Sequence, residues 1–552
     1  MIKIRFGNQI HQVESSGGEL LSELIRSAGL MPDLRCGGSG ICGRCRVRLI
    51  AGTFSIQDRR VEAAPGRPVD ALSCRTRWEG GEAEIAVPAD SVIHSDGQIA
   101  VDSELLHLPE PEAGQAAAPD SPLGLAVDIG TTTVAVALLD LGRNRILATA
   151  STYNRQSQYG DNVTMRISCC AEDGKLELLR SLVTRETIDP LIRRLLADTG
   201  RRAGEIGRVS VAGNTVMSHL FLGISPESIG VFPFRPEVRV YPQRSAAECK
   251  LTAGPSAPVV LLPSVSGYVG GDLTAGILAA NLDRFDGTRS LLIDIGTNCE
   301  IILNDGERLH ATAAAAGPAF EGAGIFCGSR AAAGAVDHIA IDRELNLTFD
   351  TIGGEAPAGL CGSALVDFLA EGFSRGLINP FGCYEREKLK SCGRYLSIDY
   401  GHGPLHAAVI AAGPEGNSIY VSEADIEQAL KAKAAVYSGI TLLLSHAGLE
   451  ITDLDRVYLA GGFANYLNVA NATVIGMLPP VAPEKIRRIG NSSLAGAIMN
   501  LCDPDFYRRA LELIDLPEVV ELNLLPEFED SYIDALMIPN FDPDRFYGRR
   551  EA

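Results

Sequence analysis

The sequence predicts a mixed α+β and α/β chain: a small strand-rich amino-terminal domain, a linker, and a larger domain made of two copies of one α/β unit. Three observations predict it. Four cysteines cluster early, spaced C-x5-C-x2-C with the fourth after 28 intervening residues. A stretch rich in Pro, Ala and Glu follows, without apolar periodicity. A strand–DIGT–strand pattern then occurs twice, about 166 residues apart. The expected boundaries are 1–95, a linker at 96–122, a first lobe at 123–285 and a second at 286–552.

Composition suits such an assembly. Of 552 residues, 46% are hydrophobic and 21% charged, enough apolar chain for two or three cores. The net charge of -20, without long blocks of one sign, argues against nucleic acid or an anionic membrane surface as partner, since both call for basic patches. Proteins and small molecules are the expected partners. The start, MIKIRFGNQIHQVE, alternates like a strand and has no basic-then-apolar leader. No apolar run of about 18 residues occurs, so no membrane span is expected, and a cytoplasmic protein is. The odd count of 13 cysteines, with Cys169 and Cys170 adjacent, favours thiols and metal ligands over disulfides.

The amino-terminal domain reads as strand (Ile2 to Phe6), turn, strand, helix (Glu19 to Ala28), strand (Arg46 to Leu49) and closing strand (Glu82 to Val87). Cys36, Cys42 and Cys45 lie in one loop, and Cys74 follows in ALSCRT. Gly37, Gly38, Gly40 and Gly43 allow that loop positive φ angles and turn its amides toward bound sulfide, while four thiolates complete a [2Fe–2S] site. Tetrahedral zinc is the rival, disfavoured because zinc ribbons pair two C-x2-C knuckles and only one is present. The order of elements resembles the β-grasp ferredoxin fold over roughly the first 95 residues. Ser103 to Ser121 then reads as a tether, holding the domain close at high effective concentration while letting it reorient.

From Leu123 the chain runs GLAVDIGTTTVAVALLD, strand into turn into strand. Gly130, Thr131 and Thr132 can lay amides and hydroxyls on phosphate while Asp128 holds Mg²⁺ directly or through water. SLLIDIGTNCEIIL repeats the pattern with Asp294, Gly296, Thr297 and Asn298. The recurrence points to a duplicated ribonuclease-H-like lobe gripping phosphate between its copies. Later strand-turns, VSVAGNTVMSHLFLG and VYLAGGFANYL, continue the two copies in step.

At these residues the chain resembles the actin, sugar kinase and heat-shock-protein ATPase (ASKHA) superfamily. That resemblance makes Asp128 to Thr133 and Asp294 to Asn298 the two phosphate loops, and Gly461, Gly462 and Phe463 the adenosine loop. Within the superfamily, NRQSQYGDNVTMRI, AGNTVMSHLFLG, DIGTNCEI, AGPAFEGAGI, GLCGSALVD and AGGF resemble the reductive activators of corrinoid-dependent methyltransferase systems, over nearly the whole chain. Two departures stand out. GGFAN replaces GGFG, so Ala464 and Asn465 are expected to crowd the loop end. AAAAGPAF lacks the serine that relatives carry before Gly317.

The resemblance implies ATP, Mg²⁺ and a [2Fe–2S] cluster as cofactors, a corrinoid protein and a low-potential electron donor as partners, and a homodimer. It implies one-electron reduction of Co(II) to Co(I), coupled to ATP hydrolysis. Asp272 is the first candidate to orient the attacking water and Glu321 the second. Alternatives of other kinds are an activator of a radical dehydratase or aromatic-ring reductase, a small-molecule kinase, and an electron-carrying adaptor without ATPase activity. The complete ferredoxin module argues against the first two. Cys327 and Cys361 are expected as small buried apolar groups, His219 as a helix-packing residue, and Lys431 and Lys433 as a solvated helix face.

Overall fold

The computed structural model describes the chain except residues 8, 31, 35–37, 39, 41–44, 89–90, 93–121, 161, 400–402, 414–416 and 547–552. The chain divides into two compact units, Met1–Asp96 with Arg155–Cys169, and Gly97–Asn154 with Cys170–Ala552.

The first unit is built on β1 (Ile2–Phe6), β2 (Gln9–Val13), β3 (Arg46–Ile56), β4 (Arg59–Ala63), β5 (Val69–Leu72), β6 (Thr76–Trp78) and β7 (Ala83–Val87). Its main sheet has the order β2-β1-β7-β3-β4, with β1 and β7 parallel and the other neighbours antiparallel. Alternation puts Ile2, Ile4, Val47, Leu49 and Ile85 on one face of the sheet. The helix Leu21–Ser27 covers that face with Leu21, Leu24 and Ile25, spaced i, i+3, i+4. This is the β-grasp arrangement expected, with a shorter helix and a third strand that runs on to Ile56. Gly17 is indispensable here: a Cβ on it would stand 2.7 Å from the backbone nitrogen of Gly80.

The second unit opens with β8 (Leu123–Ile129), β9 (Thr133–Asp140), β10 (Arg145–Tyr153), β11 (Ile206–Gly213), β12 (Arg244–Ser245) and β13 (Pro258–Leu261). They form a sheet of order β10-β9-β8-β11-β13-β12. β8, β9 and β10 are an antiparallel meander, and β11 and β13 add in parallel. The chain then supplies β14 (Ser290–Ile295), β15 (Cys299–Asn304) and β16 (Leu309–Ala314) as a second meander. Two three-stranded sheets follow, of β17 (Ala335–Ile341), β18 (Leu347–Thr351) and β19 (Gly359–Leu360), then β20 (Tyr395–Asp399), β21 (Pro404–Ala412) and β22 (Ser418–Ser422). Last come β23 (Arg456–Ala460), β24 (Ile486–Gly490) and β25 (Glu518–Val519).

The second large sheet has the order β24-β23-β14-β15-β16-β25, with β23 and β24 added in parallel to β14 as β11 and β13 are to β8. Leaving out β12 and β25, the two sheets therefore share one topology, which is the duplication expected from the repeated DIGT motif. Leu123–Ile129 is apolar at nearly every position because the strand is central and covered on both faces. The helices Gly271–Ala279 and Ser492–Cys502 contribute Leu273, Ile277, Leu494 and Ile498 to one core that also takes Ala126 and Ala137 from the first sheet and Leu292 and Ile302 from the second. Among the described residues, no helix is long and apolar enough to cross a membrane.

The sequence expectation of a solvated Lys433 is corrected by the structure. In the helix Glu423–His446, Lys431 is exposed and paired with Glu427 at 2.6 Å, but Lys433 is wholly buried. Its Nζ donates to the carbonyls of Met537 and, at 2.7 Å, Pro539, and burial pushes it down to about 7. Two positions on one helix differ in face, and the buried face meets the carboxy-terminal segment.

Candidate functional site

Two glycine turns make the centre of the site. β8 ends in Asp128-Ile129-Gly130, where the Gly130 amide donates to the Thr133 carbonyl at 3.0 Å. A Cβ on Gly130 would lie 2.5 Å from that oxygen, so the turn requires glycine. β14 ends the same way, with the Gly296 amide donating to the Asn298 carbonyl at 3.1 Å. The turns face each other: Thr132 Oγ1 and Thr297 Oγ1 are 3.3 Å apart.

Between them lies a cavity of about 280 Å³ within the second unit. Asp128, Gly130, Thr131 and Thr132 line it from the first copy, and Asp294, Gly296, Thr297 and Asn298 from the second. Asp272, Glu321, Gly461, Gly462 and Phe463 also line it. The backbone alone thus brings together every nucleotide-site residue named from the sequence.

The detail differs from expectation at the third loop. Gly461 adopts φ +95°, and a Cβ there would stand 2.8 Å from Asp294 Oδ1, so this glycine lets β23 crowd the second DIGT turn. Gly462 has open space around its Cβ position. Phe463 stacks on Phe320, centroids 5.2 Å apart and planes 12° apart. Ala464 is buried in the core rather than crowding the loop end, whereas Asn465 does face the cavity.

Carboxylates dominate the electrostatics. Asp128 accepts from Ser493 Oγ and Asn491 Nδ2, both at 2.7 Å, yet burial holds it above the usual range. Burial, then the charges of Asp128 and Glu321, push Asp294 up to about 7. Asp272 is raised by burial and by Asp294 and Asp128, although its oxygen accepts the Leu273 amide at 2.8 Å. Glu321 Oε1 accepts the Thr297 hydroxyl at 3.0 Å, while its Oε2 is buried without a partner. Glu300, not foreseen, adds a fifth carboxyl, raised by burial and by Asp272 and Asp294. Asp337 also lines the cavity, and six acidic groups in one cleft are mutually repulsive until a cation enters, which fits a site for Mg²⁺ with a phosphate ligand.

Three further residues escaped the sequence reading. Asn214 caps the helix Thr215–Leu222 through Oδ1, which accepts the Met217 amide at 2.9 Å, and its Nδ2 donates to Thr131 Oγ1 at 2.9 Å. Asn491 caps the helix Ser492–Cys502 in the same way and donates to Asp128. The signal was present in both, a strand ending in Gly-Asn before a helix. Arg330 lies 4.0 Å from the centroid of the Tyr153 ring, with Nε and Nη1 buried and without partners, donors suited to phosphate oxygens.

In the first unit, Cys45 and Cys74 are 2% and 5% exposed and share an apolar cluster with Leu34, and Ser73 donates its amide to the Cys45 carbonyl at 2.8 Å. Gly38 and Gly40 have φ of +79° and +77°, and a Cβ on Gly38 would come within 3.8 Å of Cys74 Cβ. Gly38 thus lies against Cys74, an arrangement that fits a shared metal cluster. Cys36, Cys42, Gly37 and Gly43 lie outside the described residues.

The remaining candidates are structural in their surroundings. His219 is fully buried, donates from Nδ1 to the Thr215 carbonyl at 2.8 Å, and packs edge-on against Tyr241. Cys361 is buried and pushed up to about 12 by burial, though it also borders the cavity. Cys327 is half-buried against the core of the second lobe.

Comparison with known proteins agrees with this architecture. Residues 6–79 match the 2Fe-2S iron-sulfur cluster binding domain, 123–285 the RACo middle region, and 288–549 the C-terminal ASKHA domain of RACo. The corrinoid activation enzyme RamQ of Eubacterium limosum is 31% identical over 420 residues, covering 74% of this chain and 69% of that one. A [Co(II) methylated amine-specific corrinoid protein] reductase of Methanosarcina barkeri is 27% identical over 404 residues, 67% and 68% of the two chains. The solved structure of a reductive activator for a corrinoid, iron-sulfur protein superposes with a TM-score of 0.72 at 30% identity, covering 99% of this chain and all of the other. The chain belongs to the RACo family, the reductive activators of corrinoid proteins.

Proposed function

We propose that this protein reductively activates a corrinoid protein of a methyltransferase system, passing one electron to Co(II) to give Co(I) at the expense of ATP. The observation that carries the reading is the pairing, in one chain, of a cysteine site in a ferredoxin fold with an acidic cleft between two glycine turns. The full-length likeness to a reductive activator supports it.

Cys36, Cys42, Cys45 and Cys74 would hold a [2Fe–2S] cluster. Such a cluster supplies one-electron transfer, at about -400 mV in plant-type ferredoxins. Making Co(I) calls for a stronger reductant, and each ~60 mV of shortfall costs about 1.4 kcal/mol for one electron. Coupling to ATP offsets that shortfall, which is why the two modules share a chain. A low-potential donor is the electron source in this reading.

In the cleft, Thr131, Thr132, Thr297 and Asn298 would contact the phosphates. Asp128 and Asp294 would hold Mg²⁺, which screens phosphate charge when bound. Asp272 orients the attacking water in this assignment, with Glu321 as second candidate; Arg330 supplies two unpaired donors to the phosphates. Gly461, Gly462 and Phe463 would border the adenosine. Asn214 fixes the Thr131 hydroxyl, so that loop's donors are in place before nucleotide arrives. A cytoplasmic homodimer is the expected form.

The test is anaerobic absorbance of a Co(II) corrinoid protein mixed with this protein and a low-potential reductant, with and without Mg-ATP. ATP-dependent growth of the Co(I) band, lost in Cys74→Ser, is the expected result. No Co(I) with several corrinoid proteins, despite an intact cluster and ATP turnover, would overturn the reading.

A further inference from the structure

On the second large sheet, three side chains outside the nucleotide cleft converge from three elements. His310 is on β16, and its parallel ladder partner on β25 is Glu518, so the sheet register sets the two side by side. His446 is the last residue of the helix Glu423–His446. One ligand-type atom from each of the three lies within 4.8 Å of the other two.

Their hydrogen bonding is incomplete in a telling way. His310 Nε2 lies 2.8 Å from Asp305 Oδ2, and Asp305 Oδ1 accepts the amides of Glu307 and Arg308 at 2.8 and 2.7 Å. A carboxylate acceptor at Nε2 makes that nitrogen the donor and leaves Nδ1 with a lone pair. The His310 side chain is only 6% exposed, and its Nδ1 is buried with no hydrogen-bond partner. It faces Glu518 Oε2 at 3.5 Å. On the other carboxylate oxygen, Oε1, Glu518 has His446 Nε2 at 3.0 Å.

A buried lone pair pointing at a carboxylate is repulsive unless a proton or a metal cation lies between them. Ligand atoms around tetrahedral zinc, with bonds of about 2.0–2.2 Å, stand roughly 3.3 Å apart. The 3.5 Å edge from His310 Nδ1 to Glu518 Oε2 matches that separation and is too long for a good hydrogen bond. Asp305 behind His310 is the orienting carboxylate that metal-bound histidines commonly have. The negative end of the helix Glu423–His446 adds to the attraction for a cation.

We propose that His310, His446 and Glu518 form a binding site for a divalent first-row transition ion, Zn²⁺ by its ligand set, with Asp305 as the positioning residue. Two imidazoles and one carboxylate leave a fourth position for water on the solvent side, where His446 and Glu518 are exposed. The ion staples β25 to the end of the helix. The same helix holds the carboxy-terminal segment further back, where Lys433 reaches the carbonyls of Met537 and Pro539. The site makes no use of the nucleotide cleft or the cysteine loop, so it stands apart from the proposed activity.

The test uses full-length protein with its iron–sulfur cluster assembled, so that the four thiolates are engaged, after chelation of loosely bound metal. Zinc retained per chain is measured together with the thermal midpoint as Zn²⁺ is added. The expected result is one zinc per chain and a rise in midpoint, both lost in His446→Ala and in Glu518→Gln. Asp305→Asn weakens binding about 10- to 100-fold. Both His446 and Glu518 are exposed, so their variants should keep the wild-type midpoint in chelator. No retained zinc, or equal retention in His446→Ala and Glu518→Gln, would overturn the proposal and leave an ordinary His–Glu hydrogen bond.

Discussion

Asp128 and Asp294 hold equivalent places at the ends of β8 and β14, in turns of the same sequence, but their surroundings have diverged. Both oxygens of Asp128 are taken by Ser493 and Asn491 from the start of one helix. Asp294 has no such donors and faces the cavity beside Glu321, and its carboxyl is pushed up to about 7. The duplicated units carry the same carboxylate at the same place; one is tied to a helix more than 360 residues along the chain, and the other lacks that tie. Of the two turn aspartates, Asp294 therefore carries the greater electrostatic strain.

The largest effect expected from this asymmetry is on turnover. Asp294→Asn should lower ATP hydrolysis by roughly 10³-fold, the scale of losing a metal's charge stabilisation, while the visible spectrum of the cluster is unchanged. Joint loss of both signals would sink the idea of separable modules. Steady-state ATPase assays beside absorbance spectra decide it.

Stability without Mg²⁺ should then move in opposite directions for the two aspartates. Asp294 binds its proton more tightly folded than unfolded, so between about pH 4 and 7 the native state holds more protons and stability falls as pH rises. Asp294→Asn removes that penalty and should raise the Mg²⁺-free unfolding free energy at pH 8, by ~2–4 kcal/mol at most, and flatten its pH dependence. Asp128→Ala leaves Asn491 and Ser493 without their acceptor and should lower the unfolding free energy by about 1–3 kcal/mol. Equal shifts of one sign in the two variants would mean the loops are electrostatically alike after all.

The smallest effect sharpens the role of the caps. Asn214→Ala removes one helix cap, costing about 1 kcal/mol, and frees the Thr131 hydroxyl. The expected outcome is a modest fall in midpoint with weaker nucleotide binding, read by calorimetry; a fall in stability with unchanged binding would make Asn214 a cap and nothing more.

Much of this site was legible because its key residues sit in strand–turn–strand units, where apolar periodicity flags the strand and Gly flags the turn. The repeat made Asp128 and Asp294 stand out together, and the loop glycines marked the cysteine cluster. Arg330 and Glu300 were not legible: neither carries a local signal, and both reach the cleft only through tertiary folding. Asn491 lies in a recognisable Gly-Asn helix start, but nothing local says that its amide reaches Asp128. Lys433 was misread for the same reason, since its helix alternates charge and alanine without showing that the carboxy-terminal segment covers one side. Nor does the sequence show that Gly461, at positive φ, packs closely against Asp294.

The compact unit that contains the ferredoxin fold also takes in Arg155–Cys169, and within that segment Arg166 is fully buried, donating to the Gly160 carbonyl at 3.0 Å and to Gln156 at 3.2 Å. Among the described residues, the chain thus returns to the first unit after Asn154 and leaves it again after Cys169. Asn154, the last residue before that return, is held by the first phosphate turn, donating its amide to the Thr132 carbonyl at 2.8 Å and its side chain to the Gly130 carbonyl at 3.0 Å. Cutting the gene within residues 93–121 would therefore not yield two whole parts: the amino-terminal fragment would lack fifteen residues of its own unit, and the remainder would carry them as an unmatched insertion. A faithful dissection of this molecule needs a fusion that returns Arg155–Cys169 to the electron carrier.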